Sequence, residues 1–140
     1  MKKLAAGQKV ERINTNVSKE DMVGAIIQAW QRLFVGTPTK EQVRPILAQN
    51  DLETGSRTKM WNYNVGNITH SPNDNFDYWE GLDWLYDYFK DESGITQKQK
   101  RTVKLKYRAY PDLKTGVKDY LRLLSSKNYG NAWQHIINPN

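Results

Sequence analysis

The chain of 140 residues contains no cysteine, which excludes disulfide staples and thiolate metal sites. It has only two histidines, His70 and His135, with no metal-ligand spacing between them. A histidine-rich zinc centre is therefore not expected, and neither a metal nor a cofactor is called for. Long apolar runs are missing too, so no membrane span is expected. The start, Met1-Lys2-Lys3, has the charge of a secretory n-region, but Leu4-Ala5-Ala6 gives way at once to Gly7, Gln8 and Lys9. No h-region forms, so no signal peptide is read. Internal repeats and low-complexity tracts are absent.

What the chain does have is basic charge and aromatic rings. Twenty-one Lys and Arg stand against 15 Asp and Glu, giving a net charge of +6 and a pI near 9.5. Such a balance favours an anionic partner: nucleic acid, an anionic lipid surface or the bacterial wall. The charges are mixed in sign and 38% of residues are hydrophobic, which suits one folded domain with a modest core. Aromatic residues make up 11% and cluster in the middle of the chain.

Residues 1–17 show no apolar period and read as a flexible arm ahead of a domain at 18–140. Ser18-x-x-Asp21 is a capping-box variant, and Met22, Ala25, Ile26, Ala29, Trp30 and Phe34 follow a helical period up to Gly36. Thr39-Lys40-Glu41-Gln42 starts a second helix whose inward stripe reads Val43, Ile46, Leu47, Asn50 and Glu53. Pro45 falls early in it, and Gly55 supplies the C-cap. Residues 56–77 read as an irregular loop and residues 78–90 as a short aromatic helix. Asp91-Glu92-Ser93-Gly94 is a turn signal. Val103, Leu105, Tyr107 and Ala109 alternate with basic residues as a half-buried strand, expected to pair with a short strand near 91–96. Helices at 113–124 and about 129–137 complete a mainly α domain with one small β-hairpin, an α+β fold.

Glu53 is the residue that suggests chemistry. On the inward stripe, a carboxylate is costly unless it is paired or protonated. Trp61 and Tyr63 would give it apolar surroundings that favour the protonated form, as a glycosidase acid requires.

At this point the chain resembles a family. Glu53-Thr54-Gly55-Ser56 is similar to a Glu-Ser-Gly catalytic motif at a helix end, with Thr54 in place of Ser. Trp61-Asn62-Tyr63-Asn64-Val65-Gly66-Asn67-Ile68 resembles an Asn-x-Gly-Asn-Ile element. Tyr107-Arg108-Ala109-Tyr110 resembles a Phe-Arg-x-Tyr signature, with Tyr107 in place of Phe. Gly116 to Tyr120 with Leu123-Leu124, then Tyr129-Gly130-Asn131-Ala132-Trp133, fit the helices that follow it. Together, over about residues 40–135, these motifs resemble the glucosaminidase family of the lysozyme-like superfamily, found in bacterial and phage proteins.

The resemblance implies a peptidoglycan hydrolase that cuts β-1,4 bonds of wall glycan strands, as an endo-β-N-acetylglucosaminidase. Glu53 would be the general acid and Glu92, on the hairpin, the second carboxylate, with Asp91 its close competitor. Trp61, Tyr63, Asn64, Gly66, Asn67, Tyr110 and Tyr129 would contact the sugar. By strand parity, Tyr107 is expected in the core and Tyr110 in the cleft. Tyr78, Trp79, Trp84, Tyr86 and Tyr88 could add stacking faces, although such rings are more often core.

Family members continue beyond the Ala-Trp helix into another helix with a Gly-Tyr motif, whereas this sequence stops at Asn140. Two readings follow: a truncated domain, or a minimal one whose cleft wall comes from a partner chain. The absence of a signal peptide suggests phage origin, with virion or tail proteins as partners and the bacterial wall as the place of action. The rivals are a lytic transglycosylase or muramidase on the same fold, and a non-catalytic wall-binding or virion module. A nucleic-acid binder is the third. The basic run Lys98–Arg108 supports it, but no nucleic-acid motif accompanies that run, so no nucleic-acid partner is expected. The same run would hold the protein to an anionic wall.

Overall fold

A computed structural model describes residues 7–126 and 129–139. Four helices and two strands follow in the order α1 (Lys19–Leu33), α2 (Lys40–Thr54), β1 (Asp77–Lys90), β2 (Thr96–Ala109), α3 (Leu113–Leu124) and α4 (Gly130–Ile137). The architecture is thus the α+β mixture expected, with helices in the majority.

The helix boundaries follow local chemistry. Ser18 Oγ accepts the Asp21 amide at 3.0 Å and starts α1. Thr39 and Gln42 close a reciprocal capping box on α2, at 3.2 and 2.9 Å. Gly55 ends α2 in the left-handed region, at φ 57°. Asp112 caps α3 through the Thr115 amide.

The helical body encloses one core. Met22, Ile26 and Ala29 of α1 face Val117, Tyr120 and Leu121 of α3, with Ile46 of α2 and Met60 and Val65 of the loop completing it. At its edge Trp30, Phe34 and Trp133 form an aromatic triad with centroids 5.1–5.4 Å apart. Fully burying each of the larger aliphatic side chains contributes roughly 1.5–3 kcal/mol.

The middle of the chain departs from expectation. Residues 78–90 are not a helix: they are strand β1, paired antiparallel with β2 without interruption from Asp77↔Ala109 to Lys90↔Thr96. The acidic residues Asp83 and Asp87 have a helical spacing, but Trp, Tyr and Phe fill the segment and Gly81 weakens a helix. Of the short strand expected near 91–96, residues 91–95 are the turn itself, and Thr96 opens β2. The Asp91 amide donates to the Ile95 carbonyl at 3.0 Å, and Gly94 turns at φ 79°. Asp91 holds this turn together. Its carboxylate accepts from Gln97, Ile95 and Ser93, bonds that keep it below the usual carboxylate range. The hairpin is therefore a long ribbon, not a small one, and at about 3.3 Å per residue each strand reaches roughly 45 Å.

The ribbon is anchored only at its base. The Arg108 amide donates to the Ile68 carbonyl and the His70 amide to Lys106, along one edge. Along the other edge, the Val10 amide donates to Tyr78 at 2.8 Å, and the Tyr78 amide to Gln8 at 3.0 Å. Residues 8–15, expected within a flexible arm, are thus tied to β1 and, through Ile13 and Thr15, to Asn62 and Met60. Inside the base, Trp79 stacks on Tyr107 at 4.7 Å. Arg108 bridges Asp74 at 2.5 Å and Asp119 at 2.8 Å, while the Tyr110 hydroxyl donates to Asp119.

Buried Asn64 ties the loop to this base. Its amide donates to the Ile68 and Arg108 carbonyls and its oxygen accepts the Ile68 amide, all at 2.8–2.9 Å. Asn64→Ala strands these groups and should cost about 2–4 kcal/mol in urea unfolding; a loss under about 0.5 kcal/mol would remove Asn64 from this role.

The Tyr110 hydroxyl is pushed well above the ordinary tyrosine range, first by burial and then by Asp119. A group whose folded value is raised stabilises fully below its unfolded value, near pH 10, and loses that contribution as pH rises further. The unfolding temperature should accordingly fall between about pH 9.5 and 11.5, and Tyr110→Phe should flatten part of that fall. An unchanged slope would contradict it.

Candidate active site

Each helical residue advances about 100°, so from buried Asn50 the inward row continues about 40° round to Thr54, whereas Glu53 falls about 60° to the other side. The buried stripe of α2 is Val43, Ile46, Asn50 and Thr54. Glu53 is exposed, on the flank of that stripe, which corrects the expectation of an inward, desolvated acid. Its carboxylate accepts from Gln49 Nε2, one turn back, at 3.2 Å.

The turn after Glu53 is held by a buried polar network. Thr54 Oγ1 donates to the Asn50 carbonyl at 2.6 Å and accepts the Arg57 amide at 2.9 Å. The Arg57 guanidinium donates to Asn50 Oδ1 at 3.0 Å and Asp51 Oδ1 at 2.6 Å. Asn50 Nδ2 donates to the Val65 carbonyl at 2.8 Å. Gly55, Ser56 and Arg57 all have positive φ, at 57°, 54° and 74°. For Ser56 and Arg57 that conformation costs of order 1 kcal/mol or more each, offset by the network. The result fixes Glu53 relative to the Val65–Gly66 backbone.

Glu53 borders a cavity of about 490 Å³ between α2, α3 and α4. Gln49, Gly66, Tyr120, Tyr129 and His135 line it, with Leu123, Leu124 and Ile136 as an apolar floor. Gly66 is needed here: a Cβ would meet the Tyr120 ring at 2.4 Å. The Tyr120 hydroxyl is buried with no hydrogen-bond partner among the described residues. Burial first, then the charge of Glu53 and the neighbouring Tyr129, raise it well above the ordinary tyrosine range. It therefore remains a neutral donor at physiological pH.

Gly66 and Tyr129 are the expected sugar-contacting residues that the structure brings to Glu53. Asn67, at φ 52°, is exposed next to Gly66 but does not line the cavity. Asn64 is the buried clamp described above. Trp61 lies away from the cavity, edge-on to Trp79 at 6.5 Å and with the Arg12 guanidinium 4.3 Å over its ring. Tyr63 and Tyr110 line a separate cavity of about 430 Å³, beside Val10, Ile13 and Asp77. Strand parity misplaced Tyr110 because β2 ends at Ala109; its amide turns instead to the Asn62 carbonyl, and its ring is buried.

Glu92 is exposed in the turn at the far end of the ribbon and borders neither cavity. Glu53 is the only carboxylate lining its cavity among the described residues. The sequence reading missed Tyr120, Gln49 and His135. Gln49 was accessible through its four-residue spacing from Glu53, but Tyr120 was hidden in an apolar stripe.

Among the described residues, no group of three or more His, Cys, Asp or Glu could hold a metal ion, and no helix is long and apolar enough to cross a membrane.

No protein-family model matches the chain, and no curated protein matches it. Among solved structures, the C-terminally truncated glycoside hydrolase domain of FlgJ from Salmonella typhimurium aligns at TM-score 0.49 and 19% identity, covering 76% of this chain and 73% of that one. A peptidoglycan hydrolase mutant from Sphingomonas sp. A1 aligns at TM-score 0.52 and 23% identity, over 85% of this chain and 77% of its own. At that level the likeness is one of architecture: the chain has the fold of the Sphingomonas protein.

Proposed function

We propose that the chain is a peptidoglycan hydrolase acting on the bacterial wall, an endo-β-N-acetylglucosaminidase in which Glu53 is the general acid. The observation that carries this reading is a single carboxylate, fixed by the Asn50–Arg57 network, at the border of a cavity lined by Tyr120 and Tyr129. The shared fold with a protein described as a peptidoglycan hydrolase supports it.

In this mechanism Glu53 gives its proton to the glycosidic oxygen as the bond to the anomeric carbon breaks. With no second carboxylate lining the cavity among the described residues, the 2-acetamido oxygen of the substrate attacks that carbon and closes an oxazolinium ring. Water then opens the ring, and the Glu53 carboxylate takes the proton that the water loses. Tyr120 supplies a neutral hydroxyl to the same cavity. A single acid also fits a lytic transglycosylase, in which a hydroxyl of the substrate replaces water and the product is lighter by one water. Mass spectrometry of digested walls separates the two outcomes, and also reports which sugar carries the new end.

Glu53→Gln should keep the fold, since the side chain is exposed and among the described residues bonds only Gln49, and should lose about 100-fold or more of wall-clearing activity. Retention of more than about a tenth would remove Glu53 from the acid role.

Glu92→Gln should leave cleavage within about twofold of the parent, while N-deacetylated glycan should resist cleavage. Rapid cleavage of the deacetylated polymer would exclude substrate assistance, and a strong loss in Glu92→Gln would restore the two-carboxylate scheme.

A further inference from the structure

The ribbon beyond its base is solvent-exposed on both faces, although apolar and aromatic side chains crowd it. Leu82 is 72% exposed, Trp84 55% and Tyr88 67%. No helix makes an extensive contact with either strand among the described residues. An isolated two-stranded ribbon is marginal in water, so a surface of this composition needs a reason.

Register sorts the two faces. Opposed residues share a face, so the even-numbered positions of both strands lie together. That face carries Tyr78, Trp84, Tyr86 and Tyr88 on β1, opposite Lys98, Lys100, Lys104 and Lys106 on β2. With Lys90 it holds five lysines and one acid, Glu80, which Lys9 already pairs at 3.2 Å. The lysines lie over the rings: Lys98 is 4.2 Å from the Tyr86 centroid and Lys100 3.8 Å from that of Trp84. Each reaches two residues back toward the base from its directly opposed residue, to the next ring on the same face. The odd-numbered face differs in charge: Asp83 and Asp87 stand there with Arg101, which pairs Asp87 at 2.7 Å. The cationic excess therefore belongs to one face alone, and with it a row of rings about 7 Å apart.

We propose that the even-numbered face of the ribbon is a second glycan-binding surface, apart from the Glu53 cavity, that holds peptidoglycan strands by ring stacking and by lysine contacts to their free carboxylates. The identity of the ligand rests on the hydrolase reading above. The complementarity is specific in kind. Rings spaced along an extended strand suit a polymer of repeating sugars, and lysines beside them suit one that bears negative charge. Two attachment points on one domain raise the local concentration of the glycan at the cavity.

The test measures binding of the full chain to purified peptidoglycan sacculi, in the Glu53→Gln background so that the wall stays intact. Lys98→Gln with Lys100→Gln and Lys104→Gln should weaken binding at low salt and flatten its salt dependence, because exposed charges are screened over about 8 Å at physiological ionic strength. Trp84→Ala with Tyr86→Ala should cost roughly tenfold in affinity at low and high salt alike, as removal of stacking platforms does. Trp84→Phe should restore most of the affinity, and Leu85→Ala with Gln99→Ala, on the other face, should change it little. Thermal unfolding of each variant establishes that the helical body is intact. Equal binding by the even-face variants and the parent overturns the proposal. So does tighter binding of a single-stranded oligonucleotide through the same residues, which would make the surface a nucleic-acid platform. The two readings fail separately. Walls bound through this face but never cut by the unmutated protein would leave the surface and remove the chemistry; walls cut normally with binding indifferent to the face would do the reverse.

Discussion

The Arg108 guanidinium is the joint on which the molecule depends. Helices and ribbon share little direct packing, so something must fix one against the other. Arg108 does so by bonding Asp74 of the loop and Asp119 of α3 from a position on β2. Burial works against its charge, but Asp74, Tyr110 and Asp119 outweigh that, and its pKa stands above the ordinary arginine value. A pair of carboxylates shared by one planar cation fixes direction as well as distance, which a lysine could not do. The Asp74 carboxylate is almost wholly enclosed, so removing the arginine would leave uncompensated buried charge.

A second constraint, independent of the first, operates at the end of α2. Asn50 reaches forward to Arg57 and across to Val65, so the helix end, the left-handed turn and the cavity wall move as one unit. Glu53 needs no burial for its position to be defined, because the backbone beneath it is. The side chain faces solvent and cavity together, an arrangement open to a large polymer rather than a small enclosed ligand.

The helices were legible in the sequence because their signals are local. Ser18, Thr39 with Gln42, and Gly55 act within one turn of where they stand, and the apolar period of residues 113–124 matched α3 end to end. The ribbon was half legible. The alternation at Val103–Ala109 marked β2, but β1 depends on a partner across the turn, and its aromatic run was read as a helix. Motif order singled out Glu53 and Gly66, which line one cavity, while the direction of Glu53 was wrong by one step on the helical wheel. Tyr120 carried no polar signature, since its unpartnered hydroxyl becomes visible only when α3 is set against Gly66. Tyr63 and Tyr110 were read as cleft residues because sequence order cannot tell on which side of the Asn64 clamp a ring will lie.

The unbroken pairing from Asp77↔Ala109 to Lys90↔Thr96 also limits how this fold can vary in size. Removing one residue from each strand would invert every side chain beyond the cut, sending the lysines and the rings to opposite sides from those at the base. Removing two from each strand would preserve the sidedness and shorten the ribbon by about 7 Å. Ribbon length is thus a quantised trait, free to drift in double steps while α2 and its cavity stay untouched. Ribbon reach and cavity shape can be selected separately within one small domain.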